Sequence, residues 1–358
     1  MPMSKMYCAI AEFSVRPGNS ICDTIACIDR NRKGIALVTD DSGKLLGTVT
    51  DGDIRRAMLA RIGLETPISE LIERKKGTPY YHPVTAPINT TSRELFIMMS
   101  EKSVFQIPLI DSGGRVVDLI CHQDLFPEQP LDIQAVIMAG GFGTRLRPLT
   151  DDLPKPMLPV GGRPIMEHIV NQLRNVGIRR LNVTTHYKPE KIMDYFGDGQ
   201  AFDVTLNYVN EDQPLGTAGA LSLLSPPNEP ILVINGDIMS DVNIRALIDY
   251  HREYRADMTV AVRRYEVEVP YGVVESEDSR IQRIDEKPNL TFFVNAGIYL
   301  IEPQVCKLIP SGQKFHMTDL IERLIKDNHV VVSFPLREYW LDVGRHDDYL
   351  LAQKKAEK

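Results

Sequence analysis

The stretch Ala135-Val-Ile-Met-Ala-Gly-Gly-Phe-Gly-Thr-Arg-Leu-Arg-Pro-Leu-Thr150 joins an apolar run to a loop that contains three glycines. A short apolar run that ends at glycines is consistent with a buried strand of a sheet. Glycines placed after a strand let the backbone approach a ligand closely and direct N–H groups at phosphate oxygens. Arg145 and Lys155 would add fixed positive charge for a triphosphate, which carries about four negative charges. The stretch therefore predicts a phosphate-binding loop on an α/β domain.

The loop differs from two common nucleotide-binding loops. It lacks the G-x-x-x-x-G-K-[ST] pattern, and Leu146 stands where the dinucleotide pattern has its third glycine. Together with Lys155-Pro-Met-Leu-Pro-Val160 it resembles the GGxGTRLxPxTxxxxKPxLPV signature of the sugar-1-phosphate nucleotidyltransferases. The resemblance implies catalytic roles for Arg145 and Lys155. It implies nucleotide-binding roles for Gly140, Gly141, Gly143 and Thr144.

Residues 133–358 alternate strand-like apolar runs with helical patterns. Strand-like runs lie at residues 135–139, 181–185 and 231–234, and helical patterns lie at residues 164–176, 189–196 and 243–254. This βαβ alternation predicts an α/β fold with a Rossmann-like, mostly parallel sheet and helices on both faces.

The segment Glu211-Asp-Gln-Pro-Leu-Gly-Thr-Ala-Gly219 resembles the base-binding segment of the same family. Glu211 stands five residues before Gly216, where relatives that use pyrimidine nucleotides have glutamine. A carboxylate only accepts hydrogen bonds, so it suits the adjacent N1–H and N2–H₂ groups of guanine better than uracil or thymine. GTP is therefore the predicted nucleotide. The alternatives are that Glu211 is an ordinary exposed acidic residue of a loop, or that Gln213 reads the base instead. The implied nucleotide-binding residues here are Glu211, Gln213, Gly216 and Thr217.

Two aspartates after strand-like segments resemble the metal ligands of this family. Asp237 ends Ile231-Leu-Val-Ile-Asn-Gly-Asp237, and Asp342 lies within Tyr339-Trp-Leu-Asp-Val-Gly344. Ligands of open α/β sheets collect at the carboxyl ends of strands. Two carboxylates combined with substrate phosphates and water are what Mg²⁺ prefers, so Mg²⁺ is the predicted cofactor. For either aspartate considered alone, a helix cap is the alternative.

Three segments between these aspartates resemble the sugar-phosphate half of the site: residues 270–275, 286–288 and 295–299. The resemblance implies that Lys287 holds the sugar phosphate, and that Glu286 and Asn295 hydrogen-bond sugar hydroxyls or an amino or acetamido substituent. Gly272 would let the sugar ring lie against the backbone. Without the family order, Glu286, Lys287 and the following proline would form an ordinary exposed turn.

Residues 1–128 contain an internal repeat with an offset of 71 residues. Ala36-Leu-Val-Thr-Asp40 aligns with Ile107-Pro-Leu-Ile-Asp111, and Asp53 aligns with Asp124. Each copy predicts two short strands around a glycine turn, followed by a helix. The segment Gly47-Thr-Val-Thr-Asp-Gly-Asp53 resembles the ligand-site signature of the CBS domain. The resemblance implies an α+β tandem CBS pair, with copies at about 10–65 and 75–128, then a linker at 129–132 and the transferase domain at 133–358.

The CBS resemblance also implies a regulatory nucleotide on Thr50 and Asp53. The Thr50 hydroxyl would contact a phosphate or ribose, and the Asp53 carboxylate would accept hydrogen bonds from ribose hydroxyls. In the second copy Cys121 replaces Thr50 and removes the hydroxyl, so one ligand per chain is expected. Aspartates at a strand-to-helix turn are also common helix caps, which is the structural alternative.

The charge and hydropathy patterns exclude several classes of function. The 358 residues include 41 Lys and Arg against 48 Asp and Glu, and the net charge of −7 removes the broad electrostatic basis for nucleic-acid or anionic-membrane binding. No apolar run reaches the roughly 18 residues of a membrane span, and Met1–Phe13 lacks a signal-peptide pattern. We therefore expect a cytoplasmic protein with no nucleic-acid or membrane partner. A homodimer or higher homo-oligomer is the expected assembly.

The cysteines and histidines show no metal-binding pattern. The five cysteines form neither a CxxC pair nor a zinc pattern and are predicted to be reduced thiols. His168, His186 and His251 lack metal-ligand spacing and are predicted to be structural histidines of helices or loops.

The combined resemblance implies the reaction of an NTP with a sugar 1-phosphate to give an NDP-sugar and pyrophosphate. The order of the two modules resembles that of guanylyltransferases that use glucosamine 1-phosphate for legionaminic acid synthesis. A related transferase that uses CTP, UTP or dTTP with mannose, heptose or another phosphorylated acceptor is a second reading. A non-catalytic CBS nucleotide sensor is a third, and the presence of Arg145, Lys155, Asp237 and Asp342 argues against it.

Overall fold

The computed structural model describes residues 10–102, 104–125 and 131–357. It divides the chain into two units, Met1–Gln129 and Pro130–Lys358. The predicted linker at 129–132 lies partly outside the described residues, so the predicted domain limits stay predictions. Cys8 lies wholly outside them. The cysteines within the described residues, Cys22, Cys27, Cys121 and Cys306, are free thiols. Across the described ranges, no helix has the length and apolar character needed to cross a membrane.

The first unit consists of two halves whose first five described elements follow the same order. The first half comprises β1 (Ser14–Val15), α1 (Ile21–Asn31), β2 (Ile35–Thr39), β3 (Leu45–Thr50), α2 (Asp51–Leu59) and α3 (Ile68–Glu73). The second half comprises β4 (Ala86–Pro87), α4 (Ser92–Lys102), β5 (Gln106–Ile110), β6 (Val116–Cys121) and α5 (His122–Leu125). Helices α1 and α4, strands β2 and β5, strands β3 and β6, and helices α2 and α5 each begin 71 positions apart. The offset found in the sequence is therefore kept by four pairs of elements.

Each half forms a three-stranded sheet, ordered β1-β2-β3 and β4-β5-β6. In both sheets the first pair of strands is parallel and the second is antiparallel. Ile35 and Leu37 of β2 share one buried cluster with Leu119 and Cys121 of β6. The two halves therefore bury apolar strand faces against each other, as the repeat suggests.

The second unit begins with the predicted strand β7 (Gln134–Ala139). It continues with β8 (Pro159–Val160), β9 (Arg163–Pro164), α6 (Ile165–Asn175), β10 (Arg180–Thr185), α7 (Pro189–Phe196), β11 (Thr205–Asn210) and α8 (Gly216–Gly219). Next come β12 (Ile231–Asn235), β13 (Ile238–Ser240), α9 (Ile244–Glu253), β14 (Met258–Glu268), β15 (Val273–Glu277), β16 (Arg280–Asp285) and β17 (Asn289–Ile301). The unit ends with α10 (Pro303–Cys306), α11 (Met317–Lys326), β18 (Val331–Leu336), β19 (Trp340–Asp342) and α12 (His346–Ala356).

Seven of these strands form one sheet in the order β11-β10-β7-β12-β17-β14-β18. The pairs β11–β10, β10–β7, β7–β12 and β14–β18 are parallel, whereas β17 is antiparallel to both β12 and β14. The predicted mostly parallel α/β sheet is thus confirmed, with one antiparallel strand between its two parallel parts.

The buried core of this unit lies on both faces of the sheet. Because side chains alternate along a strand, Ala135 and Ile137 of β7 join one buried cluster and Val136 joins the other. The first cluster contains apolar residues of α6, α7 and α9, and the second contains apolar residues of α8, α10 and α11. The helices therefore cover the sheet on two sides, which leaves its strand ends to form a site.

The four parallel strands β7, β10, β11 and β12 end at the same edge of the sheet. The loops that follow them begin with Gly140, His186, Glu211 and the segment that carries Asp237. In open α/β sheets this edge is where ligands bind. The topology thus places four predicted segments side by side.

Candidate active site

The glycine loop after β7 is folded back on itself. Gly143 adopts a left-handed backbone conformation with φ of 64°, and a Cβ there would lie 2.9 Å from a Thr150 methyl carbon. The Thr150 hydroxyl donates a 2.8 Å hydrogen bond to the Gly143 carbonyl. A side chain at this position would be strained and crowded, so the turn requires glycine. Thr144, exposed to solvent, starts the short 3₁₀ turn that follows.

Lys155 brings together the two predicted metal-binding aspartates. It is 8% exposed, its ammonium contacts the Asp237 carboxylate, and its Nζ lies 3.5 Å from Asp342 Oδ1. Strand pairing explains the arrangement, because Ile238 of β13 is paired with Asp342 of β19. The Val343 N–H also donates to the Asp237 carbonyl at 3.1 Å. The structure therefore unites three predicted residues that are far apart in the chain.

The charges around Asp342 compete. Burial and the negative charge of Asp237 raise the pKa of the Asp342 carboxyl, while Lys155 and Arg145 oppose the rise. Arg145 is exposed, and a Cβ at Gly344 would lie 3.8 Å from its guanidinium. The Arg145 side chain thus lies at the same cluster as Lys155 and the aspartates.

The aspartate pair suits a hard cation. Asp237 Oδ1 is buried and receives no hydrogen bond from any described residue. A divalent cation would satisfy such an oxygen, and Mg²⁺ is commonly held by one or two carboxylates together with substrate phosphates. Within residues 10–102, 104–125 and 131–357, no group of three or more His, Cys, Asp or Glu side chains could hold a metal alone. The residues present fit a cation that is shared with phosphates.

Glu211 lies against the glycine loop. Its side chain is 6% exposed, and its Oε2 accepts a 2.9 Å hydrogen bond from the Leu215 N–H. A Cβ at Gly140 would lie only 2.6 Å from Glu211 Oε1. Gly140 therefore leaves the space that this carboxylate occupies, and the predicted base reader contacts the predicted phosphate loop.

The rest of the predicted base segment packs against the chain before α11. Gly216 has a φ of 80°, and a Cβ there would meet the Phe315 carbonyl at 2.8 Å. The Thr217 hydroxyl accepts the Met317 N–H at 2.9 Å. Gln213 is exposed. Internal packing thus gives Gly216 and Thr217 structural roles, and nucleotide contact by these three residues stays a prediction.

The predicted sugar segments lie between and along β14 and β17. A Cβ at Gly272 would lie 3.2 Å from Glu286 Oε2, so these two residues are neighbours. Lys287 is exposed and adopts a left-handed backbone conformation with φ of 46°. The Asn295 side chain is exposed on β17, and its Oδ1 accepts the Gly297 N–H at 2.9 Å.

Tyr299 connects Asn295 with the aspartate cluster. Burial raises the pKa of Tyr299 to about 12, a hydrogen bond with Asn295 opposes the rise, and the charge of Asp237 adds to it. Asn295 and Asp237 therefore share a neighbour, although they come from different strands. Tyr299 was not among the predicted site residues.

In the first unit, Thr50 and Asp53 form a helix cap. Thr50 is the N-cap of α2, and its N–H donates to Asp53 at 2.8 Å. Asp53 is 6% exposed and pairs with Arg56 at 2.7 Å and Lys75 at 2.5 Å. Burial alone would raise the pKa of Asp53, but the charges of Lys75 and Arg56 outweigh burial and lower it. Thr50 and Asp53 therefore cap helix α2, as the structural alternative expected. The ligand role of both residues stays a prediction.

The three predicted structural histidines differ in their surroundings. His168 Nε2 bonds the Val160 carbonyl at 2.9 Å, and buried His251 contacts Thr259 and Glu302. His186, however, lies beside the base segment, with Nδ1 2.7 Å from the Glu211 carbonyl oxygen. The signal that could have found it is its position directly after β10, at the edge where ligands bind.

Comparison with known proteins covers nearly all of the second unit. Residues 134–358 match the nucleotidyl transferase family. The chain belongs to that family. The nucleotidyl transferase region contains the glycine loop, Lys155, Glu211 and both clustered aspartates. Residues 10–60, which include Thr50 and Asp53, match the CBS domain family.

Similar nucleotidyl transferases include two curated proteins. A mannose-1-phosphate guanylyltransferase of Mycobacterium tuberculosis is 35% identical over 225 residues, which are 61% of this chain and 63% of that protein. A mannose-1-phosphate guanyltransferase of Schizosaccharomyces pombe is 33% identical over 228 residues, with 61% and 62% covered. The chain thus spans less than two thirds of the length of these relatives.

A solved structure shares the fold. A Bacillus anthracis protein assigned as a glucose-1-phosphate thymidylyltransferase, in complex with sucrose, aligns with a TM-score of 0.53 and 28% identity. The alignment covers 63% of this chain and 96% of that protein.

Proposed function

We propose that the protein transfers GMP from GTP to a sugar 1-phosphate, forming a GDP-sugar and releasing pyrophosphate. The observation that carries the proposal is the cluster of Lys155 with Asp237 and Asp342 at the carboxyl end of the sheet. A buried ammonium between two carboxylates, beside a glycine loop, suits a polyphosphate that brings negative charge and shares a cation. Membership of the nucleotidyl transferase family supports the reaction class.

In the proposed reaction a sugar-phosphate oxygen attacks the α-phosphorus of the nucleotide in line, and pyrophosphate leaves. No covalent enzyme intermediate forms, so the protein contributes positioning and charge stabilisation. Lys155 stabilises charge on the α-phosphate, and Arg145 holds the departing pyrophosphate. The backbone N–H groups of the loop contact phosphate oxygens. These loop residues are Gly140, Gly141, Gly143 and Thr144.

Asp237 and Asp342 would hold Mg²⁺ as the cofactor. When bound, the cation neutralises phosphate charge and acts as a Lewis acid. The orphaned buried Oδ1 of Asp237 supports this assignment. Lys155, which lies between the carboxylates, keeps the cluster from carrying two uncompensated negative charges.

Guanine is the proposed base because Glu211 presents a fixed carboxylate at the loop. The bond from the Leu215 N–H to Oε2 fixes the carboxylate, and its remaining acceptor sites would face the N1–H and N2–H₂ groups of guanine. Similar curated proteins are named guanylyltransferases, which supports the same base. Gln213, Gly216 and Thr217 would complete the nucleotide contacts.

Two sugar 1-phosphates are candidates. Glucosamine 1-phosphate follows from the CBS-first order of modules, and with it a role in legionaminic acid or related surface-glycan synthesis. Mannose 1-phosphate is favoured by the names of the similar curated proteins. In either case Lys287 would hold the sugar phosphate. The sugar ring would be contacted by Gly272, Glu286 and Asn295.

The proposal for residues 1–128 is a tandem CBS pair that binds one regulatory nucleotide on Thr50 and Asp53. The CBS match over residues 10–60 supports the first copy. The repeated order of elements supports the second. We also propose a cytoplasmic homodimer or higher homo-oligomer.

The decisive experiment is a matrix of nucleotides and acceptors. GTP, ATP, CTP, UTP and dTTP are each combined with glucosamine, mannose, glucose and heptose 1-phosphates in the presence of Mg²⁺, and pyrophosphate release is measured. The proposal expects the highest kcat/KM with GTP and one of the first two sugars. A higher kcat/KM with a pyrimidine nucleotide would replace the base assignment, and the absence of any pyrophosphate release would contradict the reaction.

A further inference from the structure

Glu211 is held at three points, two of them on its backbone. Its N–H continues the sheet by donating to the Thr185 carbonyl at 2.8 Å, and its side-chain Oε2 accepts the Leu215 N–H at 2.9 Å. Its carbonyl lies beyond the last paired residues of β10 and β11, Thr185 and Asn210. Among the described residues, only His186 donates to this carbonyl, from Nδ1 at 2.7 Å. The imidazole therefore supplies the hydrogen-bond donor that a neighbouring strand would otherwise provide to the Glu211 carbonyl.

The hydrogen bond determines which ring nitrogen of His186 must carry a proton. A backbone carbonyl only accepts, so Nδ1 must be the protonated nitrogen in this bond. The bond joins the loop after β10 to the loop after β11. It fixes the backbone from which the Glu211 side chain projects, and a shift of this backbone would move Oε1 away from Gly140.

The same imidazole also contacts the phosphate loop. The Phe142 ring lies edge-on to His186, with centroids 5.2 Å apart and an interplanar angle of 89°. His186 Cβ is also 3.6 Å from the position that a Cβ at Gly140 would take. One side chain thus touches both the base segment and the glycine loop.

We propose that His186 is a positioning residue for nucleobase selection, acting through its Nδ1–H bond to the Glu211 carbonyl. This inference rests on the proposed function, in which Glu211 reads guanine. Removing the bond leaves a part-buried carbonyl without its donor and frees the Glu211 backbone. Because UTP gains little from a fixed carboxylate acceptor, the loss should fall on GTP rather than on every nucleotide.

The test compares three variants of His186 in the full-length protein. The Asn amide nitrogen stands the same number of bonds from the backbone as His Nδ1, whereas the Gln amide nitrogen stands one bond further. His186→Ala and His186→Gln should weaken GTP binding by about 10-fold relative to UTP binding, and His186→Asn should restore the ratio to within about 3-fold of wild type. Calorimetric titration of GTP and UTP measures the ratio.

His168→Ala is the matched control, because it removes a similar ring-nitrogen bond to a carbonyl, 2.9 Å to Val160, away from Glu211. It should lower thermal stability without changing the GTP-to-UTP ratio. An equal weakening of both nucleotides in His186→Ala, a failure of His186→Asn to rescue, or a wild type that binds GTP and UTP equally would each overturn the inference.

Pyrophosphate release by the wild type separates this inference from the proposed function. Selective GTP binding that depends on His186, without any turnover, would contradict the proposed reaction and support the positioning role. Turnover with GTP whose base preference is unchanged by His186→Ala would support the reaction and overturn the positioning role.

Discussion

The Glu211 carboxylate occupies the space beside Gly140 that any side chain there would fill, since a Cβ at Gly140 would lie 2.6 Å from Glu211 Oε1. The base segment and the phosphate loop are therefore in direct contact, although they follow different strands. The proposed nucleotide, with its base at Glu211 and its phosphates along the loop, would contact both.

Gly140→Ala should weaken selection of GTP. The new methyl group would push aside a carboxylate that is anchored by Leu215, and we expect the GTP-to-UTP ratio of kcat/KM to fall about 10-fold. Gly141→Ala is the comparison, because a Cβ there meets nothing within 4 Å. It should affect both nucleotides alike, since phosphates are common to them. Equal ratios in the two variants would argue against contact between the base and Glu211.

Asp237→Ala and Asp342→Ala should each lower Mg²⁺-dependent kcat by about 10³-fold or more, because a Lewis-acid cation supplies several kcal/mol of transition-state stabilisation. Asp241→Ala is the control, since Asp241 is an exposed aspartate 3.9 Å from Lys355. Circular dichroism should show that all three variants fold. A near-normal rate in either of the first two variants would remove that aspartate from the mechanism.

Glu211→Gln should reduce use of GTP more than use of UTP. An amide presents one acceptor and one donor, and its donor faces the N–H groups of guanine without a partner. We expect the preference ratio to fall by about 10-fold or more, measured by pyrophosphate release with both nucleotides. An unchanged ratio would mean that Glu211 does not read the base, and Gln213 would become the candidate.

Stability should fall as the pH drops below about 6.5 because of His251. Burial lowers the pKa of His251 from its ordinary value of 6.5, although the hydrogen bond and charge of Glu302 oppose this. The folded state therefore favours the neutral imidazole, and the unfolded chain binds the proton first as the pH falls. The free energy of unfolding then decreases by up to about 1.4 kcal/mol per pH unit from this group.

His251→Asn is the variant for this test, because its amide can still hydrogen-bond Thr259 but does not titrate. Denaturant unfolding at about pH 7.5 and about pH 5.5 should show a smaller loss of stability in the variant than in the wild type. The same loss in both proteins would mean that other groups cause the acid dependence.

Asp53→Ala should destabilise the first unit and remove the proposed regulatory nucleotide. Asp23→Ala is the matched control, because Ser20 and Asp23 form the same capping box at the start of α1. Asp23→Ala removes an exposed capping interaction, whereas Asp53→Ala also removes the buried ion pairs with Arg56 and Lys75, so Asp53→Ala should be the less stable of the two variants. Calorimetry of AMP and ATP with the full-length protein should show binding to the wild type and Asp23→Ala but not to Asp53→Ala. If Asp53→Ala binds as well as the control, Asp53 is a cap only.

The sequence by itself was enough for three of the seven strands of the sheet and for the family. The apolar runs at 135–139, 181–185 and 231–234 correspond to β7, β10 and β12. Local hydrophobic periodicity is enough to predict such strands and amphipathic helices. The glycine loop with Arg145 and Lys155 was also recognisable, because its residues are close together in the chain and form one motif.

Only the tertiary structure decided which distant residues meet. Asp342 reaches Asp237 through the pairing of β13 with β19, β17 enters the sheet antiparallel, and Glu211 comes to lie against Gly140. His186 contacts the Glu211 carbonyl in this way, although its sequence neighbours indicate nothing about Glu211. Such contacts depend on strand order and on packing across both faces of the sheet. Local periodicity predicts neither of them.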